Sequence, residues 1–401
     1  MINKKDLSKK FDSMRRTTSN MFKRMSVDKK LELIRRNTIE IIGDSELQNM
    51  LEENEKLNHY IGFEISGKIH LGTGLMSMLK IKDFMDAGIN CSVFLADWHS
   101  WINDKLGGNP EIIKKFAVGY FKEGLKASLK CVGGNPKKLK FVLGSKLYHN
   151  NDLYWMTFIE VSKNTSLSRM QRSITILGKK EGDKVDFARL IYPSMQVADI
   201  FIQKINLAHA GMDQRKAHVI ARDVSNKISF SPILNKNGKQ IKPLAIHHPL
   251  ILGLSTPTTW PIPKNKLQEL WASLKMSKSK PDTCIFIHDS PEEIKRKIKK
   301  AFCPEKEIDF NPIIDWTEKL IFQIKNKLEI KRSEKFGENV SYDSCDKLKQ
   351  DFLKGKLHPS DLKNAVSESL IEILKPARDH FSRRKPKKML EELNKLLEEF
   401  S

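Results

Sequence analysis

One strand, glycine turn and helix pattern constrains this chain more than any other feature. Residues 60–65 form an apolar run of strand length, Ser66-Gly67-Lys68 makes a turn, and residues 71–87 have the pattern of a helix. The first N–H groups of a helix have no partner within it, and the helix dipole adds to their positive potential. The turn and the helix start that follows it, which carries His70-Leu71-Gly72-Thr73, are therefore a predicted phosphate site.

Strand and helix patterns alternate through much of the chain. The predicted strands are residues 59–65, 91–96, 140–143 and 207–210. Helical patterns lie between them, for example over 111–129 and 192–205. The alternation predicts an α/β fold with a Rossmann-like, doubly wound parallel sheet. Ligands of such sheets bind beyond the carboxyl ends of the strands, where the strand order reverses, so the turn at His70 is expected in the binding crevice.

The chain is long for one domain, and its patterns predict a division into parts. Residues 1–28 form a basic N-terminal arm, and residues 29–288 form the α/β domain with a mostly helical insertion at about 103–189. Ser290-Pro291-Glu292-Glu293 is a capping box with proline at the first helical position. From 289 to 401 the patterns predict an all-α domain with a basic C-terminal tail. No role is predicted for 256–274.

The formal charge of +22 indicates a polyanionic partner. A lysine-rich surface without function is the alternative. Clustering favours the partner, because basic residues are concentrated in 4–30, 295–300 and 383–388. No apolar run approaches the roughly 20 residues of a membrane helix, and the N-terminus lacks a secretory apolar core. No membrane association and a cytoplasmic location are therefore expected.

Cysteine and histidine spacing indicates no metal site. The five cysteines are scattered, which indicates reduced thiols, and no zinc-type spacing is present. The histidines show no paired metal-ligand spacing either. The doublet His247-His248 precedes a proline and is expected to make a loop contact rather than to bind a metal.

A second motif, Lys275-Met276-Ser277-Lys278-Ser279, lies in the second half of the chain. Such a run alone is usually a solvated loop. Together with the turn at His70, it predicts an enzyme that activates an acid on ATP, because the lysines can hold the same triphosphate where charge grows in the transition state. ATP is thus the expected substrate, and Mg²⁺ would be held by its phosphates and water rather than by a dedicated protein site.

Five stretches in this order resemble the class I aminoacyl-tRNA synthetases, specifically the tyrosyl-tRNA synthetases of archaea and eukaryotes. The stretches are residues 60–73, Tyr192-Pro-Ser-Met-Gln196-Val-Ala-Asp199, Gly211-Met-Asp-Gln214-Arg215-Lys216-Ala-His218, the lysine motif, and His358-Pro-Ser-Asp361-Leu-Lys. The resemblance spans about 35–378. It implies activation of L-tyrosine with ATP, followed by transfer of tyrosine to tRNA(Tyr), in a homodimer whose contacts lie in the insertion.

The resemblance also implies roles for residues around the two motifs. The phenolic hydroxyl of tyrosine would be held by Tyr60 and Asp199. The α-amino group would be held by Tyr192, Gln196 and Gln214. Catalytic and ATP-binding roles fall to His70, Gly72, Thr73, Lys275, Ser277, Lys278 and Ser279. Thr73 departs from the family's usual second histidine, although its hydroxyl can still donate one hydrogen bond.

The remaining implied roles concern tRNA. Arg172, Arg215 and Lys216 match positions near the first base pair of the acceptor stem. Phe336, His358 and Asp361 match positions that recognise the first anticodon base, by stacking and by hydrogen bonding to the base edge. A plain helix N-terminus capped by Ser360 is a compatible structural interpretation of the last motif.

Three other functions are compatible with part of the sequence. A tryptophanyl enzyme shares the fold, but indole has no hydroxyl to pair with Tyr60 and Asp199. A small nucleotidyltransferase could use a similar turn, but it would not need the basic helical region. A synthetase-like RNA-binding protein without aminoacylation would not need to keep His70 and the lysines.

Overall fold

The computed structural model describes residues 25–257, 260, 274–278, 280–332 and 338–400. Its centre is a six-stranded sheet. The strands are β1 Glu40–Ile42, β2 Asn58–Phe63, β3 Asn90–Leu95, β4 Lys140–Leu143, β5 Leu207–Gly211 and β6 Leu244–His248. They lie in the order β1-β6-β5-β2-β3-β4, in which β2 to β6 are parallel and β1 is an antiparallel edge strand. The doubly wound parallel sheet is confirmed, and its order reverses between β2 and β5.

Strands β2 to β5 coincide with the predicted ones within two residues, whereas β1 and β6 were not predicted. The expectation of a loop contact at His247-His248 is wrong, because both residues are buried at the end of β6. The two polar histidines interrupted the apolar pattern expected of a buried strand. Their side chains are nevertheless accommodated, because His209 lies within hydrogen-bond distance of His248 and His218 within that distance of His247.

Helices cover both faces of the sheet. They are Val27–Arg35, Asp44–Glu52, Ser77–Asp86, Asp97–Ile102, Pro110–Phe116, Lys122–Cys131, Gly144–Tyr148, Asp152–Lys163, Leu167–Ser173, Phe187–Ile202 and Arg215–Val224. Single π-helical turns at Gly72–Met76 and Ala117–Phe121 continue into the helices that follow them. The predicted insertion also contains β4. The part of the chain without strands therefore begins only after Leu143 and ends at β5.

Helix Phe187–Ile202 begins five residues before its predicted start. Pro193 favoured a start at 192, because proline is common at the first helical position. In the structure Asp186 caps the helix and accepts a hydrogen bond from the Arg189 N–H. This helix carries three of the five residues predicted to hold tyrosine.

The C-terminal region is helical, with one feature that the sequence did not predict. The helices are Pro291–Lys300, Pro312–Trp316, Phe322–Lys325, Cys345–Leu353, Pro359–Ile373, Lys375–Phe381 and Arg384–Glu399, with a π-helical turn at Thr317–Ile321. Two short antiparallel strands, β7 Leu328–Ile330 and β8 Val340–Tyr342, correct the all-α expectation. The Ser290 cap is confirmed by a 3.2 Å hydrogen bond from the Glu293 N–H.

One hydrophobic core extends from the sheet into the C-terminal helices. Helix Lys375–Phe381 packs on helix Lys122–Cys131, and His380 Nε2 lies 3.1 Å from Glu123 Oε2. The side chain of Leu397 covers Gly67, in the predicted phosphate turn. The boundary near residue 289 therefore stays a prediction, because packing continues across it. Within the described ranges, no helix has the length and apolar content of a membrane span.

Candidate active site

A cavity of about 620 Å³ opens at the carboxyl ends of β2 and β5, where the strand order reverses. Tyr60 on β2 and Asp199 on helix Phe187–Ile202 line its inner part and are buried. His70, Lys275 and Lys278 line it as well. Three segments far apart in sequence therefore meet around one space, as the order of the motifs predicted.

The turn at His70 is fixed by backbone hydrogen bonds to a later segment. The Leu71 N–H donates to the Ile285 carbonyl at 3.0 Å, and the Ile287 N–H donates to the Ile69 carbonyl at 3.1 Å. His70 Nδ1 accepts from the Gly72 N–H at 3.1 Å. Burial, with the charges of Lys278 and Lys275, lowers the pKa of His70 to about 3. The ring is thus neutral, and its proton is on Nε2.

His70 Nε2 lies 3.3 Å from Thr73 Oγ1. With the proton on Nε2, this hydroxyl is the acceptor, and its own proton is free to be donated elsewhere. Thr73, which replaces the usual second histidine, therefore adds a hydroxyl donor next to His70. Gly72 lies so close to His70 that an added Cβ would be 3.0 Å from the ring carbon Cε1. A larger residue at 72 would displace the imidazole.

The lysine motif is anchored to the chain that follows β6. The Gly253 N–H donates to the Leu274 carbonyl at 2.7 Å, and the Met276 N–H donates to the Ile251 carbonyl at 2.9 Å. Ser277 lines the cavity, and Ser279 lies outside the described residues. The described part of the motif, residues 275–278, is therefore part of the cavity wall rather than a solvated loop.

Both lysines have partners within the cavity wall. Lys275 Nζ lies 3.0 Å from Asp213 Oδ2, and Lys278 Nζ donates to Ser66 Oγ at 2.6 Å. Burial, followed by the charge of Lys105, lowers the pKa of Lys278 to about 8. The Lys278 ammonium also lies over the Phe121 ring, 5.8 Å from its centroid. A partly desolvated ammonium that contacts a hydroxyl and an aromatic ring is a strong site for an incoming phosphate.

Asp199 accepts a hydrogen bond from the Tyr148 hydroxyl at its Oδ1, over 3.1 Å. Its Oδ2 is 3.6 Å from His99 Nε2, beyond hydrogen-bond length. Burial raises the pKa of Asp199 well above its usual range, and burial together with the charge of Asp199 raises the pKa of Tyr60. The inner part of the cavity thus offers an available oxygen beside a neutral phenol.

The three residues predicted to hold the α-amino group lie together. Gln196 Nε2 donates to Gln214 Oε1 at 3.3 Å, and Gln214 Nε2 donates to the Ile176 carbonyl at 2.9 Å. The Tyr192 hydroxyl donates to Glu64 Oε1 at 3.0 Å. Glu64 was not predicted, and its carboxylate adds a negative charge to a group otherwise made of neutral side chains.

The model of the family described as tRNA synthetases class I (W and Y) matches residues 52–375. The chain belongs to this family. The tyrosine–tRNA ligase of Thermococcus sibiricus is 56% identical over 362 residues, which cover 90% of this chain and 96% of that protein. The crystal structure of a Pyrococcus horikoshii tyrosyl-tRNA synthetase complexed with L-tyrosine covers 92% of this chain and 100% of its own, at 51% identity and a TM-score of 0.88.

A tryptophanyl-tRNA synthetase from Aeropyrum pernix also has the same fold. It is 16% identical, with a TM-score of 0.65, and covers 96% of this chain and of its own. At that identity the likeness extends to the fold alone. Among the specificities of this synthetase family, the comparisons therefore favour the tyrosyl one.

The predicted acceptor-stem residues of this synthetase lie close together outside the cavity. Lys216 Nζ donates to the Arg172 carbonyl at 2.6 Å, and Lys216 also pairs with Glu181. Arg215 Nε lies 2.8 Å from Glu40 Oε2. These partners hold two of the basic side chains in place, while nearly half of each remains exposed. Their role in tRNA binding stays a prediction.

The predicted anticodon residues lie at the start of helix Pro359–Ile373. The cap is His358, whose Nδ1 accepts from the Ser360 N–H at 3.1 Å. The expectation that Ser360 is the cap is wrong, because Pro359 occupies the first helical position. Asp361 Oδ2 lies 3.6 Å from Arg332 Nε. Phe336 lies outside the described residues.

Four residues that line the site or contact it were not predicted, although the sequence contains a signal for each of them. His99 follows the carboxyl end of β3 and Tyr148 follows that of β4, while Glu64 follows β2 and Asp213 follows β5. The rule that ligands bind beyond the carboxyl ends of parallel strands covers all four. Applying it to each predicted strand, rather than only to the first, would have found them.

Proposed function

We propose that this chain carries out the two steps of a tyrosine–tRNA ligase in the cavity described above. L-Tyrosine reacts with ATP to give tyrosyl-adenylate and pyrophosphate, and the tyrosyl group is then transferred to the 3′ end of tRNA(Tyr). The observation that carries the proposal is the meeting of Tyr60 and Asp199 with His70, Lys275 and Lys278 in one cavity. One cavity can therefore bind the hydroxyl group of tyrosine and the phosphates of ATP at the same time.

In the first step, a carboxylate oxygen of tyrosine forms a bond to the α-phosphorus. The bond from that phosphorus to the bridging oxygen breaks, and pyrophosphate leaves with the electron pair. His70 Nε2–H exchanges its bond to Thr73 Oγ1 for one to a phosphate oxygen, and the two ammonium groups also donate to oxygens on which charge grows. Lysine suits a departing group, because its ammonium is a flexible point charge. The protein thus contributes position and charge rather than a covalent intermediate.

Tyrosine is distinguished from its analogues at the inner end of the cavity. Tyr148 already satisfies Asp199 Oδ1, so Oδ2 is available to the substrate hydroxyl. Phenylalanine would leave these buried polar atoms unpaired, which costs more than the hydrogen bonds themselves contribute. Tryptophan has no hydroxyl at the corresponding position either. The same pair therefore rejects both competitors.

Mg²⁺ enters with ATP in this proposal. The described residues contain no cluster of histidine, cysteine, aspartate or glutamate suited to a metal ion. In the cavity, Asp213 is paired with Lys275 and Glu64 with Tyr192. Such engaged carboxylates fit a metal held by phosphate oxygens and water.

The C-terminal helices recognise the anticodon in the same proposal, with His358 and Asp361 at an exposed helix start. The ion pair with Arg332 orients Asp361 without blocking it, since side-chain exposure remains on both partners. Phe336 would supply the stacking surface, and Arg172, Arg215 and Lys216 would contact the acceptor stem. Positive charge steers the whole tRNA toward these surfaces. Translation consumes the product, so the proposed compartment is the cytoplasm.

A homodimer completes the proposal. Helix Asp152–Lys163 exposes Leu153, Trp155, Met156 and Ile159, with Ile159 54% exposed. Apolar and aromatic side chains concentrated on one helix mark a surface that is covered in the assembled protein. The helix lies in the insertion, where the resemblance placed the dimer contacts.

Pyrophosphate exchange with each of the twenty amino acids tests the activity. We expect ATP–pyrophosphate exchange with tyrosine, none with tryptophan or phenylalanine at equal concentration, and subsequent charging of tRNA(Tyr). Exchange that is fastest with tryptophan would contradict the specificity. Binding of tRNA without exchange for any amino acid would indicate an RNA-binding protein instead.

A further inference from the structure

Three buried histidines form a row across the sheet and end in the cavity wall. His59 on β2 has its Nε2 at 3.0 Å from Nδ1 of His209 on β5. His209 Nε2 in turn lies 2.7 Å from Nδ1 of His248, at the end of β6. All three are at most 5% exposed, and His248 lines the cavity beside Asp213. The chemistry proposed above uses none of them.

Each ring in the row is neutral and therefore carries one proton. Burial lowers the pKa of His59 to about 3 and that of His248 to about 4, and it lowers the pKa of His209 well below its usual value. In a row of neutral imidazoles, the N–H groups can all point from His59 toward His248 or all point the opposite way. The surroundings of the two end residues determine which direction is favoured.

At the inner end, His59 Nδ1 is buried with no hydrogen-bond partner among the described residues. An orphaned buried N–H is rarer than an under-satisfied acceptor. His59 therefore keeps its lone pair on Nδ1 and donates from Nε2 to His209. His209 then donates from Nε2 to His248 Nδ1, which leaves the proton of His248 on Nε2.

The outer end selects the same direction. A Cβ added to Gly211 would lie 3.5 Å from His248 Nε2 and 2.8 Å from Asp213 Oδ1, so the imidazole and the carboxylate flank the same glycine. The negative charge of Asp213 acts on His248. A nearby negative charge favours an N–H over a lone pair on the His248 nitrogen at the cavity wall. Both ends thus place an N–H donor at the cavity wall.

We propose that His248 donates its Nε2–H to the nucleoside part of ATP, and that His209 and His59 are positioning residues that fix this tautomer. The inference rests on the function proposed above. His70, Lys275 and Lys278 account for the phosphates, and Asp199 accounts for the tyrosine hydroxyl. The wall at His248 continues into Leu250 and Ile251.

A neutral N–H beside apolar side chains suits the ring nitrogens and ribose oxygens of a nucleoside better than a phosphate. These atoms are neutral acceptors, for which a neutral donor is sufficient. The nucleoside is also the part of the substrate pair that the residues assigned so far leave without a side-chain donor.

The test compares His248→Leu with His248→Gln in the full chain, because glutamine retains an N–H donor. AMP is the probe for equilibrium binding, since it lacks the β- and γ-phosphates. We expect His248→Leu to weaken AMP binding and to raise the KM for ATP about tenfold, as the loss of one hydrogen bond would. The KM for tyrosine should not change, and His248→Gln should restore most of the AMP affinity. The exposed His149→Leu is the matched control.

Nitrogen-15 NMR of histidine-labelled wild-type protein tests the row without any substitution. We expect the proton of His248 on Nε2, and a mixture of tautomers in His59→Phe. A His248 proton on Nδ1 in the wild type, or unchanged AMP affinity in a folded His248→Leu protein, would overturn the proposal. Absence of tyrosine-dependent exchange in the wild type would instead contradict the proposed function, while AMP binding and NMR would still test the row.

Discussion

The Tyr148 hydroxyl and Asp199 Oδ1 are joined by a 3.1 Å hydrogen bond between residues 51 positions apart in sequence. Tyr148 ends the short helix after β4, and Asp199 lies on helix Phe187–Ile202. The bond satisfies one carboxylate oxygen and fixes the plane of the group. The second oxygen lies 3.6 Å from His99 Nε2, beyond hydrogen-bond length, so a substrate hydroxyl that reaches it would complete the pairing of the carboxyl group.

Loss of either hydroxyl-binding side chain should weaken tyrosine activation and relax the discrimination against phenylalanine. We expect Asp199→Ala and Tyr60→Phe each to cost roughly 1–3 kcal/mol, because each removes one contact in a buried site. Exchange kinetics with both amino acids measure the effect. The exposed Asp223→Ala is the control for a lost carboxylate. Unchanged tyrosine kinetics in both site variants would contradict the assignment.

The two motif lysines should act on the chemical step more than on tyrosine binding. Their contacts to pyrophosphate strengthen in the transition state, so Lys275→Ala and Lys278→Ala should slow adenylate formation by far more than they weaken tyrosine affinity. Pre-steady-state measurement of adenylate formation separates the two quantities. An unaltered rate constant with only a raised tyrosine dissociation constant would exclude the proposed role.

The activity of the free enzyme toward ATP should fall as the pH rises above about 8. Burial lowers the pKa of Lys278 to about 8, so the ammonium is charged below that pH and is lost as the pH passes through it. We expect kcat/KM for ATP to show this alkaline limb. Lys278→Arg, which stays charged, should shift the limb upward if it supports activity. If an active arginine variant shows the alkaline decrease of kcat/KM at the same pH, the decrease is caused by a group other than Lys278.

Asp361 should control the choice of the first anticodon base, and Phe336 should control tRNA use in general. Stacking tolerates any base and is worth about 1–3 kcal/mol, so Phe336→Ala should weaken aminoacylation for every base at that position. Asp361→Ala should instead reduce the difference in aminoacylation between tRNA with guanine and tRNA with cytosine as the first anticodon base. Neither variant should alter tyrosine-dependent exchange. If Asp361→Ala keeps the wild-type preference, anticodon recognition lies elsewhere.

The apolar face of helix Asp152–Lys163 should hold two copies of the chain together. We expect Trp155→Glu or Ile159→Asp to shift the sedimentation coefficient from dimer to monomer, because a charge in an apolar interface has no partner. Leu353→Asp is the matched control, since Leu353 is similarly exposed on helix Cys345–Leu353. A wild-type protein that sediments as a monomer at micromolar concentration would contradict the proposed interface.

The parts of the site that local patterns determine were predictable from the sequence. The run into His70 has the length and polarity of a buried strand, and Gln196 and Asp199 are three residues apart on one helix. Such features depend on neighbours within a few residues. The resemblance to known synthetases then supplied roles that spacing alone could not.

The features that escaped prediction depend on residues distant in sequence. Strand β6 ends in two histidines that are tolerated in the interior because His209 and His218 lie within hydrogen-bond distance of them and Glu40 also contacts His247. Strands β7 and β8 are three residues each, too short for a pattern. The bond from Lys278 to Ser66 joins segments whose approach the fold determines. None of these partners is visible until the sheet order is known.

The position of Leu397 over Gly67 has a consequence for how the protein matures. The phosphate turn at Gly67 is synthesised long before helix Arg384–Glu399, whose Leu397 side chain covers it. Contacts between such distant segments form late, because the entropy of closing the intervening loop must be overcome first. A growing chain therefore contains His70 and both lysines while its phosphate turn is still uncovered. The packed form of the turn should thus arise only after that helix has been synthesised and has folded against it.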